Sequence, residues 1–82
     1  MEYSRLGALL KETARRKGVE GAEAISERLW WRERYSASIA TIEAYLSGTD
    51  RPPPEFMVAF KDAFDLTEPE ADGIAWAYTF PP

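Results

Sequence analysis

Residues 48 to 54, Gly-Thr-Asp-Arg-Pro-Pro-Pro, prevent any helix or strand from running through the middle of this 82-residue chain. Proline has no N–H to give to a helix interior or a sheet ladder. Glycine enters the left-handed conformation that ends a helix without steric penalty. Three successive prolines suit only the entry to a helix, where the first N–H groups have no intrahelical partner. One helix must therefore stop at Gly48, and another must start at the prolines.

The segment before Gly48 reads as a short helix with two unlike faces. Ser36 or Ser38 can cap its start, because a serine oxygen accepts from the free N–H groups of the first turn. Ile39, Ile42 and Leu46, with Tyr45 beside them, fall at the spacing that buries one stripe. Ser38, Ala40, Thr41, Ala44 and Ser47 line the other side and are short enough to bring a helix backbone close to a large partner. A helix that enters the major groove of DNA has this character.

The remaining apolar spacing predicts four more helices and no strands. The first runs from about Tyr3 to Lys17, with Tyr3, Leu6, Leu10 and Ala14 inward and Leu9 beside them. Its last turn, Arg15-Arg16-Lys17, suits the negative end of the helix dipole. Gly18 stops it, and Val19 plugs the core in the connection. The second starts around Gly21–Ala22 and turns Ala22, Ile25 and Leu29 inward. Its end is open: it either extends through Arg34, or Trp30 and Trp31 anchor an inserted loop, with one tryptophan in the core. The fourth follows the prolines and buries Phe56, Met57, Phe60, Ala63 and Phe64, with Leu66 closing it. Thr67-Glu68-Pro69-Glu70 is a capping box. It opens a fifth helix that carries Ala71, Ile74, Ala75 and Tyr78 on one side and Trp76 partly on another, and that Phe80-Pro81-Pro82 ends.

The expected fold class is all-α, a five-helix bundle forming a single domain over residues 1–82. No apolar run approaches the ~20 residues that span a bilayer, and Met1 leads straight into charged residues. A soluble, cytoplasmic protein is the expectation. Cys, His, Asn and Gln are all missing. No thiolate nucleophile, His–carboxylate dyad or ordinary transition-metal site can be built, so neither catalysis nor a cofactor is expected. Glu68, Glu70 and Asp72 are explained by helix capping and the dipole rather than by a cation.

The net charge of −4 is unevenly spread. Residues 1–51 hold nine basic and eight acidic side chains, whereas residues 52–82 hold Lys61 against six acids. Any surface for DNA must be local and lie in the first two-thirds, because affinity for DNA depends on neutralising phosphates.

Five short helices with Gly48-Thr49-Asp50-Arg51-Pro52 after the third resemble the Cro/repressor (XRE) family of helix-turn-helix proteins. Two further matches are the fourth helix, Phe56 to Leu66, ending in Asp65-Leu66-Thr67, and the run Tyr45-Leu46-Ser47-Gly48 with Arg51-Pro52-Pro53. The likeness covers nearly the whole chain. It implies a phage-repressor-like domain that regulates transcription by binding double-stranded operator DNA as a homodimer, with residues 37–47 as the recognition helix. One departure is clear: the family joins its second and third helices by a short turn with a glycine, whereas Leu29 to Ser38 is longer and has none.

The resemblance turns Ser36, Ser38, Thr41, Ala44 and Ser47 toward DNA. Hydroxyls contact phosphates or most base edges, and alanine methyls meet thymine methyls; the same residues also suit an ordinary solvated face. Arg–guanine contacts come only from the flanks, at Arg32, Arg34 and Arg51, and without Asn or Gln the paired amide contact to adenine is impossible. Glu43 is expected to pair with a nearby arginine, although it could accept from cytosine. Arg15, Arg16 and Lys17 are candidates for phosphate contact. The apolar tail Ile74, Trp76, Tyr78 and Phe80, with part of the fourth helix, is the expected dimer contact. The competing expectation is a helix-turn-helix domain turned protein-interaction module, antitoxin-like or an adaptor, which the acidic charge and the Trp-Trp pair favour.

Overall fold

A computed structural model describes residues 2–80, so the closing Pro81-Pro82 lie outside the described residues. It contains α1 (Ser4–Arg16), α2 (Ala22–Glu33), α3 (Ile39–Ser47), α4 (Pro54–Ala63) and α5 (Glu68–Thr79), with no strand among the described residues. The fold is a compact all-helical five-helix bundle. No described helix is long and apolar enough to cross a membrane.

α4 supplies the centre of the core. Phe56, Phe60 and Phe64 recur every four residues, so their rings stack along one face with centroids 6.0 and 4.4 Å apart. Tyr45 of α3 meets Phe56 edge-on at 4.8 Å. Leu6, Leu10 and Ala14 of α1, Ala22, Ile25 and Leu29 of α2, Ile42 of α3, and Ile74 and Ala77 of α5 close around them. Pro54 opens α4 at a position that needs no N–H.

Each connection has a physical stop. Gly18 and Gly48 both sit at φ +83°. At Gly48 the Gly48 N–H donates to Tyr45 O and the Thr49 N–H to Ala44 O, at 3.2 and 3.0 Å. This is the paired pattern of a left-handed helix stop. α1 crosses α3 at backbone contact: a Cβ on Gly7 would collide with the carbonyls of Leu46 and Tyr45. The Thr67 capping box is complete, with Thr67 N–H on Glu70 Oε1 at 2.9 Å and Glu70 N–H on Thr67 Oγ1 at 3.4 Å. Lys17 also donates to Glu70 Oε1, at 2.9 Å, and ties the end of α1 to the start of α5. The Thr67 amide first, and Lys17 second, lower the Glu70 carboxyl to about 2.

Of the two ends left open for α2, the extended helix is the one found: it continues through Glu33, and Arg34 ends it in the left-handed region at φ 54°. Several other expected positions differ. Neither tryptophan enters the core: Trp30 is 47% and Trp31 70% exposed. Leu29 takes the last buried position of α2, and residues 30–33 beyond it are exposed. Tyr35 folds back instead, edge-on to Phe56 at 6.0 Å. Ile39 is exposed rather than part of the α3 stripe, because it is the first residue of the helix and has no preceding turn to pack beneath. Tyr45 is the fully inward partner of Ile42 there, and Leu46 is half-buried. In α5 the inward alanine is Ala77, not Ala75.

Candidate nucleic-acid interface

The start of α3 is fixed by Ser38, not Ser36. Ser38 Oγ accepts from the Thr41 N–H at 3.1 Å and donates to Thr41 Oγ1 at 2.8 Å. The connector before it is tied back to α2, since Ser26 Oγ donates to Ala37 O at 2.9 Å. Ser36, Ser38, Ile39, Ala40, Glu43 and Ser47 are exposed, while Thr41 and Ala44 are half-buried. The outer face of α3 thus carries Ile39 beside the Ser38 cap at its leading end, Ala40 and the carboxylate of Glu43 along it, and Ser47 at its trailing end. At its trailing end Ser47 Oγ lies 3.2 Å from Ala44 O and 3.0 Å from Thr49 Oγ1. Burial raises the Tyr45 phenol on the inner face.

α3 carries a single charge, Glu43. The expected pairing of Glu43 with an arginine is not found: it forms no ion pair among the described residues. The reason is position, since it lines a groove with Lys11, Gly21, Ala22, Leu46 and Ser47, and no arginine reaches it there.

The three flanking arginines have different surroundings. Arg32 is engaged with Asp65 at the α4–α5 corner, Nη2 lying 2.9 and 3.0 Å from the two carboxylate oxygens. Its charge is neutralised there. Arg34 lies over both Trp30 and Trp31, 5.4 and 5.5 Å from the ring centroids, with no carboxylate paired to it among the described residues. Arg51 lies 4.2 Å over the Tyr78 ring and 5.9 Å from that of Tyr3, and donates to Tyr78 O at 3.4 Å. Stacking covers the flat of a guanidinium but leaves its in-plane N–H donors open. Arg34 and Arg51 therefore present donors on a cation that no carboxylate offsets among the described residues, whereas the cation of Arg32 is offset by Asp65.

The basic run at the end of α1 is divided in the same way. Arg15 is clamped by Glu12 at 2.7 Å and Lys17 by Glu70. Arg16 donates to Thr13 Oγ1, at 3.5 Å, and forms no ion pair among the described residues. Ile39, assigned inward, is the residue of this surface that pattern alone missed.

On α5, Trp76 and Phe80 are 63% and 54% exposed and lie against each other, ring centroids 4.5 Å apart. Val58 of α4 is also exposed. Comparison with protein-family models, with curated proteins and with solved structures found no match.

Proposed function

We propose that this protein is a small cytoplasmic DNA-binding regulator of transcription, of the Cro/repressor (XRE) type, with α3 as the helix that enters the major groove. One observation carries the reading: the outer face of α3 is uncovered, built of short side chains apart from Ile39 and Glu43, and capped at Ser38. Such a face lets the helix backbone approach base edges. Ser36, Ser38 and Ser47 supply hydroxyls for phosphates and bases, and Ile39 and Ala40 supply methyls for thymine. Arg34, before α3, and Arg51, after it, add guanidinium donors for phosphate or guanine. Arg32 is dropped from this set because Asp65 holds it. Readout is sparse, and DNA shape carries a share of the specificity. No catalytic step is assigned.

In this reading two copies join through Trp76, Phe80 and Val58, so that two α3 helices reach half-sites ~34 Å apart. The test is a selection on random duplex DNA at two salt concentrations. A recovered, two-fold related sequence supports the reading. An unenriched pool at low salt rejects it.

A second reading is favoured by the exposed Trp30 and Trp31 at the end of α2: a domain of the same shape that binds a protein. Replacing Arg51 with alanine separates the two, because it weakens duplex binding in the first reading and leaves a partner held by the tryptophans in place in the second.

A further inference from the structure

We propose that Tyr78, at the end of α5, is a positioning residue that holds Arg51 in place for contact with a DNA phosphate. This rests on the DNA-binding reading and deepens it, since Tyr78 lies 27 residues from Arg51 and outside the surface assigned to DNA.

The loop after α3 is fixed at both ends. Gly48 stands in the left-handed region with Ser4 and Tyr3 backbone packed against it, and Gly48 O accepts from the Tyr3 N–H at 3.3 Å. Pro52 is fully buried, and its carbonyl accepts from the Tyr78 hydroxyl at 2.8 Å. Arg51 lies between these anchors with an exposed side chain that would otherwise be free to rotate. Tyr78 removes that freedom in three ways. Its hydroxyl pins the loop, its ring lies under the guanidinium at 4.2 Å, and its carbonyl takes one Nη2 donor at 3.4 Å. Tyr3 flanks the same cation at 5.9 Å.

A guanidinium has five N–H donors. One is directed to Tyr78 O, and the others lie in a plane fixed by the ring beneath. No carboxylate shares the cation among the described residues. A long cation ordered before binding loses less rotamer freedom when it meets a phosphate, and a planar fork suits that group better than an ammonium does. Arg32 is the internal contrast, since Asp65 both holds and neutralises it. Tyr78 holds Arg51 without neutralising it.

The test is the anisotropy of a labelled mixed-sequence duplex about three helical turns long, titrated across a salt series with wild type, R51A, Y78L, Y78F and R51A/Y78L. R51A weakens binding about tenfold, the size of one charge-assisted hydrogen bond, and lowers the slope of log affinity against log salt by about 0.9. Y78L does the same, R51A/Y78L is no weaker than R51A, and Y78F, which keeps the ring but loses the hydroxyl anchor on Pro52 O, falls between wild type and Y78L. Because Y78L can disturb folding, the Arg51 Nε–H resonance of the wild type is followed by NMR as duplex is added. A ring-current shift kept in the complex supports the inference. Loss of that shift on binding, an unaffected Y78L or R51A, or additive effects in the double variant overturn it. A wild type that leaves the duplex unbound at low salt overturns the DNA-binding reading, and this inference with it.

Discussion

Gly7 of α1 lies against the carbonyl of Leu46 in α3 so closely that a side chain at position 7 has nowhere to go. The contact sets the height of α3 on the bundle and so how far its outer face stands out. In an ordinary helix interior, glycine to alanine gains about 1 kcal/mol. Here Gly7→Ala is expected to lower stability by about 1–3 kcal/mol, the range for overpacking, measured by urea denaturation. A gain would show that α1 and α3 do not approach this closely.

Ser38 closes the first turn of α3 through the Thr41 N–H. Ser38→Ala should lower stability by about 1 kcal/mol, while Ser38→Asp should retain most of it. The same denaturation series checks both. Equal losses would remove the cap assignment.

Glu70 makes stability depend on acid. Its carboxyl is lowered to about 2 by the Thr67 amide and then by Lys17, from an ordinary value of 4.5. A depressed carboxyl contributes stability above its unfolded value, and that contribution is lost as pH falls toward the folded one. The melting temperature should therefore drop between about pH 4.5 and pH 2. Glu70→Gln should lower it at neutral pH and flatten this decline.

Arg34 occupies the left-handed position where glycine would be unstrained. Arg34→Gly relieves that strain, about 1 kcal/mol, and loses two exposed cation–π contacts of about 0.5–1 kcal/mol each. Stability should change little. Duplex affinity should fall, with a salt slope smaller by about 0.9. Arg32→Ala should leave that slope as it is, because Arg32 is already paired with Asp65. Salt titrations of the two variants side by side give the comparison.

The helices and most of the core were legible because their signals are local. The four-residue spacing of Phe56, Phe60 and Phe64, the Thr67–Glu70 box and the stop at Gly48 depend only on neighbours along the chain. What escaped depends on tertiary contacts or on a conformation unusual for the residue type. Arginine is not a left-handed residue by preference. Position 34 is forced there by hydrogen bonds from Arg34 N–H to Trp30 O and from Tyr35 N–H to Leu29 O. The partners Arg32 and Asp65 are 33 residues apart, and nothing in either segment announces the other. Ile39 matched the spacing of the buried stripe but stands at the open end of the helix. At the candidate site, the cap and the short side chains of the outer face could be read directly, whereas the different surroundings of Arg32, Arg34 and Arg51 could not.

The most direct measurement is an amide and side-chain NMR titration of the labelled protein with mixed-sequence duplex DNA at low salt. Shifts concentrated at Ser36, Ser38, Ile39, Ala40 and Ser47, with Arg34 and Arg51, are the expected result. An unchanged spectrum for these residues, with or without movement elsewhere, would contradict the assignment of α3 as the DNA-reading helix.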